Sequence, residues 1–138
     1  MYADNSVFKL GVLNVDISDY KRMLFEQSVI GLALCDMDGA LVDVNDAYAK
    51  ILGLSVDEAL KLTYWQVTPE KYEPQEKEQL KKLQQNGHYG PYEKEYIHSD
   101  GHLVPVRLSG QIVDKDGKEY ILSSVEDITE KNLLSRSC

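Results

Sequence analysis

The chain has 138 residues, 43% of them apolar, enough for one domain with a sizeable core. A formal charge of −8 would repel nucleic-acid phosphates; no apolar run approaches the roughly 18 residues of a membrane-spanning helix, and Met1–Ser6 is no secretory leader. Cys35 and Cys138 have no partners at metal spacing, and Cys35 sits in an apolar run as a small hydrophobe, so a cytoplasmic, reducing setting is expected.

Val7 to Ile17 alternates loosely and reads as one strand. Ser18 is positioned to cap a short helix whose apolar stripe is Tyr20, Met23, Leu24 and Gln27. In "IGLALCDMDGALVDVN" two apolar runs flank Asp38-Gly39, a turn pair suited to a tight hairpin, with strands expected at 32–36 and 40–44. Asn45 then caps "DAYAKILG", which Gly53 closes, and Ser55 opens a further helix, "SVDEALKL". "TYWQVTPEKYEP" is irregular and aromatic. Pro74 starts the next helix, whose Leu80 and Leu83 face inward and whose end is Gly87.

After Pro91 the period changes to two. Strands are expected at 92–98, 103–113 and 119–127, joined at Asp100-Gly101 and Asp116-Gly117. The layout of strands, short helices and then three strands indicates an α+β fold with one antiparallel sheet. One phrase occurs twice: "LNVDISDYKRML" near the start and "SVEDITEKNLL" near the end.

Three stretches in this order resemble the PAS domain of the bacterial sensory-box kind, from about Leu24 to Glu130. "FEQSVIGLALCDMDGALVDVNDAYAKILGLS" resembles the opening of that family, "YEKEYIHSDGHLVPVRLSG" its central hairpin and "SSVEDITEKN" its closing strand. The resemblance implies a PAS-like five-stranded antiparallel sheet with short helices on one face. It further implies a sensor module, not an enzyme, relaying to a histidine kinase, a diguanylate cyclase or phosphodiesterase, or a transcription regulator. Asp127, Ile128 and Thr129 match the family's exit triplet, in which the hydroxyl residue caps an outgoing helix and the triplet carries the signal. Asp16-Ile17-Ser18 matches it too, so residues 1–23 resemble the end of a preceding domain in a tandem array. That leaves 24–130 as the sensor and 131–138 as the start of an exit linker.

By the same resemblance a ligand would lie between sheet and helices. Relatives that bind haem place a histidine near the position of Glu76, and light-sensing flavin relatives place a cysteine in the region of "LTYWQVTP". Neither residue is there, so neither haem nor a covalent flavin adduct is expected; His88, His98 and His102 fall at turns or strand ends. Tyr48, Tyr64, Trp65, Tyr92 and Tyr96 either line a cavity for a non-covalent flavin or other small aromatic ligand, or simply fill the core. Val104, Val106, Leu108, Gly110 and Ile112 share one strand face, which the resemblance turns toward the helices, and Ser123 offers a polar group on the last strand. Glu93 and Glu95 read as a solvated face without a nucleophile or metal cluster beside them. Two functions remain: a ligand-sensing module, or a ligand-free module that forms a homodimer through the stripe after Ser18 and the Leu133-Leu134 pair.

Overall fold

The computed structural model describes residues 7–10 and 13–131. The readings that involve Leu133, Leu134, Cys138 and Met1–Ser6 lie outside the described residues.

Two short strands, β1 (Val7–Leu10) and β2 (Leu13–Asp16), pair antiparallel with each other, Val7 opposite Asp16 and Leu10 opposite Leu13. This corrects the expectation of one strand over 7–17. Pairing within the segment gives its backbone groups partners that a lone strand would have to seek at another edge. The helix α1 (Ile17–Gln27) follows at once, so Ser18 lies within its first turn and not ahead of it. Two polar contacts hold α1 to its own domain: Arg22 reaches Asp43 at 2.7 Å, and the Asn45 amide donates to the Phe25 carbonyl at 2.9 Å. The apolar residues Met23 and Leu24 stay exposed.

The main sheet holds β3 (Gly31–Asp36), β4 (Leu41–Val44), β5 (His88–Ile97), β6 (Leu103–Lys115) and β7 (Lys118–Asp127), in the order β4-β3-β7-β6-β5 with all neighbours antiparallel. The closing strand β7 therefore lies in the middle, bonded to β3 on one side and β6 on the other. Strand β5 starts four residues before the expected position, at His88 and not at 92. Pro91 looked like a boundary because it has no N–H to give a ladder. A register irregularity between Tyr89 and Tyr92 absorbs it, and pairing resumes on both sides.

The helices α2 (Asp46–Leu52), α3 (Val56–Ala59) and α4 (Glu73–Asn86) cover one face of this sheet, with a single 3-10 turn, Glu70–Tyr72, leading into α4. Their starts follow the sequence closely. Asn45 caps α2 by accepting from Tyr48 N, and Gly53 closes it in the left-handed conformation. Ser55 and Glu58 form a reciprocal capping box on α3. Between sheet and helices the core gathers Ala33, Leu41, Leu52, Leu83, Val106 and Val125, all nearly inaccessible to solvent.

Candidate functional site

A cavity of about 40 Å³ opens inside this core. Its floor is the inner face of the sheet, with Ala33 and Cys35 from β3, Leu108 from β6, and Ile121 and Ser123 from β7. Its roof comes from Tyr48 on α2, from Tyr64, and from Glu76, Gln79, Leu80 and Leu83 on α4. β5 supplies the side wall with Tyr89, Tyr92, Lys94 and Tyr96. Five tyrosines thus converge on one small space. A space of this size suits a guest of a few non-hydrogen atoms.

The polar groups here are mostly committed to one another. Tyr89 Oη and Ser123 Oγ lie 2.6 Å apart, and Tyr48 Oη donates to Tyr96 Oη over a long 3.5 Å. The rings of Tyr48 and Tyr96 meet edge to face at 5.9 Å, as do those of Tyr89 and Tyr92 at 5.8 Å. Burial pushes the phenols of Tyr48, Tyr64, Tyr89, Tyr92 and Tyr96 well above their ordinary values, and the Cys35 thiol up to about 12. All six groups are neutral at physiological pH.

One ion pair lies in this wall. The Lys94 ammonium bonds the Glu76 carboxylate, and both side chains are almost fully buried. Lys94 also donates to Thr68 Oγ1 at 3.0 Å, while Tyr92 Oη donates to Glu76 at 2.9 Å. The ammonium sits 4.9 Å from the centre of the Tyr96 ring, 5.5 Å from that of Tyr64 and 5.9 Å from that of Tyr92. Desolvation still outweighs these partners, so the Lys94 pKa is lowered. The pair neutralises itself and leaves no net charge in the cavity.

Of the residues singled out in the sequence, the cavity brings together Tyr48, Tyr92, Tyr96, Leu108 and Ser123. Val106 is fully buried on the same sheet face but packs in the core beside the cavity. Gly110 lies just beyond the lining, where a Cβ would come within 2.8 Å of Ser123 Oγ and 3.0 Å of the Tyr89 ring. Its missing side chain is what lets Tyr89 reach Ser123. Trp65 is a correction: it is 36% exposed and stacks on Tyr64 at 4.8 Å, so Tyr64 faces the cavity and Trp65 shields it from outside.

Sequence reasoning missed Lys94, Glu76, Gln79 and Tyr89. Period two on β5 places Lys94 between Tyr92 and Tyr96 on one face, and that signal was readable. Glu76 occupied a marked helical position but drew attention only for not being histidine. The exit triplet also differs from expectation in detail. Asp127 takes bonds from Thr129 N at 2.9 Å and Thr129 Oγ1 at 2.5 Å, so Thr129 donates where it was expected to accept. Ile128 is buried and anchors the strand end, its N–H donating to the Pro105 carbonyl. Glu95 takes bonds from Lys71 at 3.0 Å and Tyr72 at 2.8 Å, which lower its pKa.

A family model described as the PAS domain matches residues 29–130. Over 111 residues the chain is 29% identical to the methyl sulfide methyltransferase-associated sensor of Methanosarcina acetivorans, covering 80% of this chain and 11% of that protein. It is 33% identical over 113 residues to the probable diguanylate cyclase DgcE of Escherichia coli, covering 79% and 10%. The chain therefore spans about a tenth of the length of the curated relatives it matches. Among solved structures, a domain from Colwellia psychrerythraea superposes with a TM-score of 0.75 at 17% identity, covering 83% of this chain and 99% of that one. A domain of a LuxR-family transcriptional regulator from Burkholderia thailandensis, solved in complex with ethanol, superposes with a TM-score of 0.68 at 19% identity, covering 78% and 96%.

Proposed function

The chain belongs to the PAS domain family, and on that premise we propose that it is the sensor module of a larger signalling protein, taking a small uncharged molecule into the tyrosine-lined cavity. The observation that carries this reading is the charge balance of a closed space. Lys94 and Glu76 satisfy each other, so a charged guest would lose its hydration and find no free counter-charge. A molecule of a few heavy atoms with one hydroxyl or carbonyl could instead join the Tyr89–Ser123 or Tyr48–Tyr96 pairs. The ethanol in the Burkholderia relative is of that size and chemistry.

Readout would run along β7. Ser123 touches the cavity, and Asp127 lies four residues further on the same strand, where it accepts from Thr129 N. The output is then a kinase or cyclase activity supplied by other parts of the parent protein, with residues 1–23 and 131–138 as the connecting segments. Release of bound molecules by denaturation, read by gas chromatography and mass spectrometry, tests the sensing role. A short alcohol, ketone or ester at near one per chain supports it, whereas a bound organic acid or amine rejects the uncharged class.

A second reading, homodimerisation, rests on α1. Its Met23 and Leu24 are 38% and 56% exposed although neighbouring polar residues tie the helix to the domain. Sedimentation at micromolar concentration, with the Met23→Glu/Leu24→Glu variant alongside, tests it. A dimer that the variant dissolves supports this reading, and a monomeric parent chain removes it.

A further inference from the structure

The geometry points to a divalent-metal site at the β5–β6 turn, built from His98, Asp100 and His102 and suited to zinc or a similar first-row cation. The ligand atoms of these three residues all lie within 4.8 Å of one another. In "HSDGH" the histidines have a three-residue spacing known from zinc sites, but their place at a turn read as surface. The turn itself creates the convergence. His98 N donates to the His102 carbonyl and Gly101 N to the His98 carbonyl, which folds the two histidines face to face with ring centres 4.5 Å apart. Asp100 then swings its carboxylate between them, with Oδ1 at 3.1 Å from His98 Nδ1 and 2.5 Å from His102 Nδ1.

Asp100 Oδ1 accepts from His102 N at 3.0 Å and lies beside Nδ1 of both rings, while the Asp100 backbone N–H points at His98 Nδ1 from 3.2 Å. Two imidazoles and a carboxylate gathered this closely can share one cation once each ring turns an unprotonated nitrogen toward it. His102 completes a set of two imidazoles and one carboxylate, donors that favour zinc, copper and nickel over magnesium or calcium. Asp100 and His102 are more than half exposed, so the remaining positions are open to water and the ion has an entry path.

The turn is also docked on the helix above the cavity. Ser99 N donates to the Leu52 carbonyl and Ser99 Oγ to the Gly53 carbonyl, at 2.9 and 2.8 Å. The His98 ring lies so close to Gly53 that a Cβ there would come within 2.2 Å of it. A bound ion would hold that ring in place and so brace the end of α2, the helix that carries Tyr48. This proposal stands apart from the reading of the cavity.

Isothermal titration of the 138-residue chain with zinc chloride tests it, with His102→Ala, Asp100→Asn and His88→Ala beside the parent. Loss of a mere supporting partner costs about 10–100-fold in metal affinity, so removing the ligand His102 should cost at least about tenfold. The expected result is one zinc per chain, a melting temperature that rises with zinc and returns on chelation, weakening in H102A and D100N, and no change in H88A. Absence of saturable binding overturns the proposal. Affinity unchanged in both H102A and D100N, or an equal response to magnesium chloride, overturns it as well.

Discussion

Lys94 carries its ammonium into the wall of the cavity and meets there the carboxylate of Glu76, a pairing between a strand and a helix that neither segment announces. Breaking such a pair from one side leaves a bare charge in a low-dielectric interior, whereas replacing both members with apolar side chains removes the problem. Lys94→Ala should therefore destabilise the domain by about 3–5 kcal/mol. The double change Lys94→Met/Glu76→Leu should restore stability to the parent level or above it. Urea denaturation of the parent, Lys94→Met, Glu76→Leu and their double decides the matter, and additive effects of the two single changes would refute a coupled pair. On a sheet exterior the same substitutions would barely register, so the size of the loss reports where the pair lies.

At the level of elements, Asn45 does more than end a strand. Its carbonyl oxygen accepts from Leu32 N and Tyr48 N, and its amide donates to the carbonyls of Phe25 and Ile30, all at 2.9–3.0 Å. One buried side chain thus ties α1, β3 and α2 together. Asn45→Ala removes a helix cap and strands several buried backbone groups, a loss of roughly 3 kcal/mol. Asn45→Asp keeps the acceptor and should retain α2 while freeing α1, visible as faster amide exchange over residues 17–27 with residues 46–52 still protected. Equal exchange in both segments would contradict this division of labour. The cap at Asn45 was legible in the sequence because a short polar residue before a helical period has a local meaning. The Asp-Gly turns and the period-two runs of β6 and β7 were legible for the same reason. The other three bonds, to residues 13, 15 and 20 positions away, have no local signature. The inward aim of Tyr64, the sideways turn of Trp65 and the convergence of the "HSDGH" turn were likewise set by packing across elements.

For the molecule as a whole, the cavity makes stability depend on pH at the alkaline end. Cys35, Tyr48, Tyr64, Tyr89, Tyr92 and Tyr96 all have raised values in the folded chain, so above the ordinary thiol and phenol range the unfolded chain binds fewer protons than the folded one. Stability from these groups is fully present below about pH 8.5 and falls as pH rises through 9 and 10. Lys94, lowered by burial, works in the opposite sense over part of that range, but it is one group against six. Denaturant midpoints should accordingly drop between pH 8 and pH 10.5, and a flat profile would mean that the tyrosines are hydrated in solution. On the proposed function, this space receives a small uncharged guest and passes its presence along β7. Titration of the isotope-labelled chain with 1-propanol, acetone and acetate, followed residue by residue by NMR, tests it most directly. Saturable shifts are expected at Tyr48, Tyr89, Tyr96 and Ser123, extending to Asp127 and Thr129, with propanol or acetone and none with acetate. Shifts scattered over the surface, or equal shifts with acetate, would contradict it.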